Sequence, residues 1–315
     1  MTRSTRQVLG PVAVTATAAL MLAGCGQSAA NDSADQESRN PDQLVFAAVP
    51  SEESTSLQQS YQSVIDMLEE ETGKKITFQH ATDYAAIIEG QRTGKVDIAQ
   101  YGPFSYVLAR SSGVGTTPVG AQVEEQGAEP GYQSYAITKP GSGITKLADM
   151  RGKKVCFVDP NSTSGYLYPS AGLIEAGLNP EQDIEEVMTG GHDASALAVA
   201  SGQCEAGFAF DDMVDVTLPG KGQLKKGDLE VIWKSETIAG SPAAIADDLD
   251  PALRKTITDA FQEKANVDYL RENGFCDKDC SVGEEGSWGY TDVDDAFYDG
   301  VREVCEITDD EQCQA

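Results

Sequence analysis

Short apolar runs alternate with amphipathic stretches along most of this chain, and that order restricts its fold more than any other feature. Leu44–Val49 (LVFAAV) has strand length and is stopped by Pro50. Residues 56–71 then set Leu57, Tyr61, Val64, Ile65 and Leu68 at helical spacing, with Gly73 as the stop. ITFQH (76–80), a helix starting at Asp83, and VDIAQYG (96–102) continue the series. Such a βαβαβ order predicts a mostly parallel sheet with helices on both faces. A second series begins near Tyr135: YAITK, a short LADM helix, KKVCFVD, helices from Ser164 and Asp193, and GFAF. LEVIWK (229–234) adds a strand, and Asp250 with Pro251 opens a helix over 250–265. The pattern is that of two α/β lobes.

The N-terminus reads as an address. Residues 1–7 carry two arginines and no acid, and 8–23 are mostly apolar but interrupted by Gly10 and Pro11. This is an export signal rather than a spanning helix. Leu22-Ala23-Gly24-Cys25 matches the lipobox of bacterial lipoproteins, which implies cleavage after residue 24 and diacylation of Cys25. Two acyl chains hold a protein on a membrane surface without crossing it. Residues 25–43 (lipidated cysteine, then a polar stretch with no aromatic or β-branched residue) are expected to be a flexible tether. The expected location is the outer face of the cytoplasmic membrane.

Charge and cysteines narrow the function. Asp and Glu number 51 against 23 Lys and Arg, a net charge of −28, and loss of Arg3 and Arg6 with the signal makes it −30. Such a field repels nucleic acid and anionic surfaces. Beyond Cys25, six cysteines remain, an even number that suits disulfides in an exported chain. Cys156 and Cys204 each lie in or beside a strand-like run and are placed to join neighbouring strands; Cys276, Cys280, Cys305 and Cys313 are expected to pair among themselves. With only His80 and His192 in the chain, no metal site or cofactor is expected.

The chemistry gathers at helix starts. In 157–175, a strand ends at Val158, Asp159-Pro160-Asn161 turns, and Ser162-Thr163-Ser164-Gly165 leads into a helix. Hydroxyls, free N–H groups and a positive dipole end then meet at one point, the arrangement that holds a phosphate-like anion, although a plain Ser/Thr cap has the same local signature. Gly190-Gly191-His192 precedes an alanine-rich helix, where the imidazole either donates to the same anion or is merely a polar residue near a cap. Asp211 and Asp212 follow a strand, at the edge where doubly wound sheets bind ligands, or else cap the next helix. Tyr84, Tyr101 and Tyr132 fall at strand–helix junctions or turns, as packing or as neutral donors.

These segments carry a resemblance. Asp83-Tyr84-Ala85-Ala86-Ile87-Ile88, Asp97-Ile98-Ala99-Gln100-Tyr101-Gly102-Pro103, Pro130-Gly131-Tyr132, the 159–166 turn and Gly191-His192-Asp193-Ala194-Ser195 occur in that order. Together, over residues 44–245, the chain resembles the substrate-binding proteins of phosphonate, phosphite and phosphate ABC importers. The resemblance implies a two-lobed, type II-like periplasmic binding fold, with a doubly wound mixed sheet in each lobe. Lobe 1 would comprise 44–135 plus 236–315, and lobe 2 136–235. It implies a monomer without enzymatic activity that takes a phosphorus oxyanion to a permease and ATPase. It assigns oxyanion binding to Ser162, Thr163 and Ser164, cleft tyrosines to Tyr84 and Tyr132, a histidine to His192, and an acid to Asp212 or Asp211. The second acid of aminoethylphosphonate binders is missing, since Ile238-Ala239-Gly240-Ser241-Pro242 carries serine at that place.

No matched position is Lys or Arg, so the anion would be held by neutral donors in a dry cleft. Each such bond contributes about 1.5–3 kcal/mol, enough in number to outweigh a diffuse repulsion that salt screens. Asp212 is expected to accept from a P–OH proton or to pair with a ligand cation. Two other readings use the same residues: a hydrolase with Ser162 or Ser164 as nucleophile and His192 as base, and a ligand sensor without transport.

Overall fold

The computed structural model describes residues 38–277, 280, 282–283, 286–308 and 311–314. The signal segment, the lipobox and Cys25 lie outside the described residues. The strands are β1 (Gln43–Ala48), β2 (Lys75–Gln79), β3 (Ile98–Gln100), β4 (Thr116–Val123), β5 (Gly131–Tyr132), β6 (Ser134–Thr138) and β7 (Lys154–Phe157). They continue as β8 (Glu185–Met188), β9 (Ala206–Phe210), β10 (Glu230–Lys234), β11 (Ile238–Ala239), β12 (Pro242–Ala246) and β13 (Gly289–Thr291). The helices are α1 (Ser54–Thr72), α2 (Tyr84–Arg92), α3 (Pro103–Ser111), α4 (Tyr168–Glu175) and α5 (Pro180–Asp183). After them come α6 (His192–Ser201), α7 (Leu218–Gly220), α8 (Pro251–Glu263), α9 (Val267–Glu272) and α10 (Asp299–Thr308).

Two mixed sheets form two lobes. The first has the order β13-β4-β12-β3-β1-β2 and the second β10-β6-β9-β7-β8. In the first, β1 runs parallel to β2 and β3, whereas β12 is antiparallel to both β3 and β4. In the second, β7 runs parallel to β8 and β9. Ser134 and Tyr135, placed in lobe 1 from the sequence, are the first residues of β6 in the second sheet. The chain passes between the sheets through β5 and returns through β11, and these two segments pair antiparallel as a ribbon, Ile238 opposite Tyr132. Gly131 allows that close pairing: a Cβ there would lie 2.6 Å from Thr237 Cγ2.

Helices cover both faces of each sheet because their apolar stripes need burial. On the first sheet, α1, α8 and α9 bury Leu57, Val64, Leu68, Ile257 and Leu270 against one face. On its other face α2, α3 and α10 pack Ile87, Phe104, Tyr106, Val301 and Val304. Full burial of each such side chain contributes about 1.5–3 kcal/mol. That second cluster also takes in Val158, Leu167, Tyr168 and Ala171 of the second lobe, so the lobes share a core there. Asp250 caps α8 by accepting from Ala252 N at 2.9 Å, and Gly73 ends α1 with φ 64°.

Among the described residues there are three disulfides, Cys156–Cys204, Cys276–Cys280 and Cys305–Cys313. The polar stretch expected to be tether is docked at its end. Arg39 pairs with Asp97 at 2.8 Å and Asp248 at 2.7 Å, its backbone bridges Leu249, and β1 already begins at Gln43. A guanidinium between two carboxylates outweighed the local polarity that suggested a free chain. Among the described residues, no helix is long and apolar enough to cross a membrane.

Candidate ligand-binding site

Four helix starts converge between the lobes. Asp83 caps α2 by accepting from Ala86 N at 2.8 Å, which sets Tyr84 in the first turn. Gly102, with Pro103 after it, begins α3. Ser162 caps a single π-helical turn, Thr163–Leu167, that runs on into α4; its Oγ accepts from Gly165 N at 3.1 Å. Gly165 lets this turn lie on the end of β7, since a Cβ would stand 2.4 Å from Val158 Cβ. His192 is the first residue of α6, after Gly191.

Tyr84, Tyr132, Ser162, Thr163, Ser164 and His192 line one cavity of about 20 Å³, together with Val49, Ser51, Gly102, Phe210 and Ser241. A single water needs about 10–15 Å³ on the same measure, so the space fits a compact ligand without a long side arm. Surface grooves of about 630 and 620 Å³ lie elsewhere and lack this convergence of hydroxyls.

The lobes meet over the cavity through helix-start N–H groups. Phe104 N donates to Thr163 Oγ1 at 2.8 Å, Tyr84 N to Asp159 Oδ2 at 3.4 Å, and His192 N to Ser51 O at 2.9 Å. Glu53 N reaches Asp193 Oδ2 at 3.1 Å, and Glu52 pairs with Lys221. No Lys or Arg is among the described lining residues; positive potential comes from helix ends and polar hydrogens. Burial pushes His192 down to about 3, so its ring is neutral near pH 7. Phe210 N lies 3.2 Å from Nδ1, and a backbone N–H can only donate. The ring hydrogen therefore sits on Nε2, facing Ser162 Oγ at 3.3 Å and Tyr84 OH at 3.5 Å.

Three residues expected here are placed otherwise. Tyr101 is wholly buried in the core, its hydroxyl donating to Gln91 Oε1 at 2.8 Å. Asp211 accepts from Gln133 N at 3.0 Å beside the ribbon and does not line the cavity. Asp212 lies against Gly286, where an added Cβ would be 3.1 Å from its Oδ2. The wall position at the end of β9 belongs instead to Phe210, whose ring meets Tyr132 edge-on at 6.5 Å. Ser51 and Gly102 also line the cavity without standing among the expected site residues, and their one signal in the sequence is that both follow strands, at the carboxyl edge where parallel sheets bind ligands. Ser241, which in sequence is only a departure from the family pattern, lines the cavity too.

Residues 46–274 match the family model described as the periplasmic substrate-binding protein of phosphonate ABC transporters. The chain belongs to that family. It is 47% identical to the phosphate-import protein PhnD of Mycolicibacterium smegmatis over 308 residues, covering 95% of this chain and 96% of that one. It is 32% identical to the phosphonates-binding periplasmic protein of Escherichia coli, over 72% of this chain and 70% of the relative. A binding protein component of an ABC phosphonate transporter from Pseudomonas aeruginosa superposes with a TM-score of 0.72 at 26% identity, covering 85% and 86%. PhnD1 of Prochlorococcus marinus, solved in complex with methylphosphonate, gives 0.72 at 18% identity, covering 85% and 98%. The two-lobed fold of these binding proteins is the fold of this chain, and its role in the family is capture of a solute outside the cytoplasm for an ABC importer.

Proposed function

We propose that this binding protein captures a small phosphorus oxyanion (phosphate, phosphite or a short phosphonate) between its lobes and delivers it to the permease. The observation that carries this reading is the compact cavity ringed by Tyr84, Ser162, Thr163, Ser164 and His192 at converging helix starts, with no charged side chain. The relatives named for phosphate import and for phosphonate binding agree with it. The cavity is compact, which favours a ligand without a long aminoalkyl arm, and Ser241, which lines it, holds the place that a second acid takes in the resemblance to aminoethylphosphonate binders. Capture proceeds as a monomer held to the outer face of the cytoplasmic membrane by lipid on Cys25.

The hydrolase reading draws no support from the proton positions. A base must accept the serine proton through Nε2, and in this tautomer Nε2 already carries one. Thermal denaturation with phosphate, phosphite, methylphosphonate and aminoethylphosphonate tests the proposal. A ligand at about 100 times its dissociation constant stabilises by ~2.7 kcal/mol. At least one of the three small anions should reach that, aminoethylphosphonate should not, and Ser162→Ala should weaken binding by about ten- to a hundredfold. No shift with any of the three, or release of product from a phosphate ester, overturns it.

A further inference from the structure

The polar groups of the cavity are not free to choose their direction. Phe210 N donates to His192 Nδ1, which leaves Nε2–H to donate, with Ser162 Oγ at 3.3 Å nearer than Tyr84 OH at 3.5 Å. The same oxygen receives Gly165 N–H at 3.1 Å. A hydroxyl oxygen has two lone pairs. With both occupied, the Ser162 hydroxyl can only donate, and the cavity is what it faces. Thr163 Oγ1 likewise receives Phe104 N–H at 2.8 Å and has its own hydrogen to give.

We propose that Phe210 N–H, the His192 ring and the Ser162 hydroxyl form a one-way donor relay that makes the site select the dianionic form of its ligand, with His192 as the positioning residue. The proposal rests on the reading that the cavity holds a phosphorus oxyanion. An anion with three unprotonated oxygens accepts from every member of this side of the site. A monoanion turns one of those three oxygens into a P–OH (phosphate, whose dianion already carries one on its fourth oxygen, then has two). To that P–OH the Ser162 hydroxyl can offer only a hydrogen, and no carboxylate is among the described lining residues. A buried donor left facing donors weakens binding by about ten- to a hundredfold. Successive donors in a dry site also polarise one another in the same sense.

The surrounding titratable groups are accounted for. The Tyr84 phenol lies 3.5 Å from Nε2. Asp159 beside Ser162 is held by Asn161 N and Tyr84 N, and Asp193 on the histidine's own helix by Ala194 N and Glu53 N. Asp83, at the start of α2, accepts from Ala86 N, and Asp211, beyond Phe210, from Gln133 N. Burial pushes Asp159, Asp211 and Asp212 up, Asp212 to about 7, and none of the three is among the described lining residues. A test has to separate their titration from that of the ligand.

Calorimetric titration of the intact protein with phosphite, phosphate and methylphosphonate between pH 5 and 9 does so, because phosphite loses its second proton at lower pH than methylphosphonate. The affinity of each should fall about tenfold per pH unit below that ligand's own second ionisation, until any weak binding of the monoanion takes over. A midpoint common to phosphite and methylphosphonate, or affinity that holds or rises on acidification, overturns the relay while leaving the ligand class standing. Failure of all three anions to bind at any pH removes the ligand class itself. His192→Gln, whose amide can turn its carbonyl to Ser162, should cut the preference for dianion over monoanion by at least about tenfold. An unchanged preference overturns the relay. Nitrogen-15 NMR of the imidazoles, assigned with His80→Gln, needs no substitution at the site. His192 should be the neutral Nε2–H tautomer from pH 5 to 8; an Nδ1–H tautomer or an imidazolium overturns the proposal.

Discussion

Asp211 and Asp212 are neighbours in sequence with different surroundings. Burial pushes both up, but Asp211 accepts from Gln133 N, which opposes the rise, whereas Asp212 reaches about 7, first by burial and then by Asp211, Glu124 and Asp215. An acid with a raised pKa keeps its proton longer in the folded state, so its contribution to stability falls as pH rises from about 4 to about 7. Asp212→Asn should therefore be more stable than the parent at pH 8 and equal to it near pH 4. The gain at pH 8 should be about 1–2 kcal/mol once solvent screening of a partly exposed carboxyl is allowed for. Urea denaturation at both pH values checks this, and a gap that does not close on acidification contradicts it. The same scale shows where sequence stops informing. Tyr84 and Tyr101 both follow strand-like runs, but only Tyr84 opens a capped helix start; the side on which Tyr101 falls depends on its pairing with Pro242, far along the chain. Caps are local and legible. Strand partners are not.

Elements follow from their own residues to a greater extent. α1, α2 and α8 begin and end close to their capping and stop residues, and the LADM segment is the short helix its spacing suggests. The mixed direction of both sheets was the part that needed long-range pairing: β12 returns beside β3 only after the whole second lobe has been built. The Ser241 wall of the cavity comes from that closure and carries no local mark, whereas Ser51 follows directly on β1. Cys156–Cys204 ties β7 to the approach to β9 across 48 residues, and Cys276–Cys280 closes only 4. Loop-closure entropy makes the first worth about 4 kcal/mol and the second about 2. Replacing Cys156 and Cys204 together by serine should thus lower the melting temperature more than replacing Cys276 and Cys280. Equal losses would mean that the long loop is already restricted in the unfolded chain.

At the scale of the whole molecule, a chain of net charge −28 collects an anion. The attraction is local, from helix ends within the cavity, while the repulsion is spread over the surface and screened within about 10 Å at 0.1 M salt. Association of phosphite should consequently speed up severalfold between about 10 mM and 200 mM salt, with little change in dissociation, as stopped-flow fluorescence would record. A rate that falls with salt would place the governing field at the cavity mouth. The C-terminal helix bears on the same traffic. α10 packs against α3 of one lobe and α4 of the other, with Tyr298 donating to Gly240 O near the returning strand. A clamshell built this way has its jaws strapped by its own tail. To gape, it must slide or peel Val301 and Val304 from one side and wet that apolar surface, so the width of the bite is governed by α10 as well as by the two-stranded ribbon that joins the lobes.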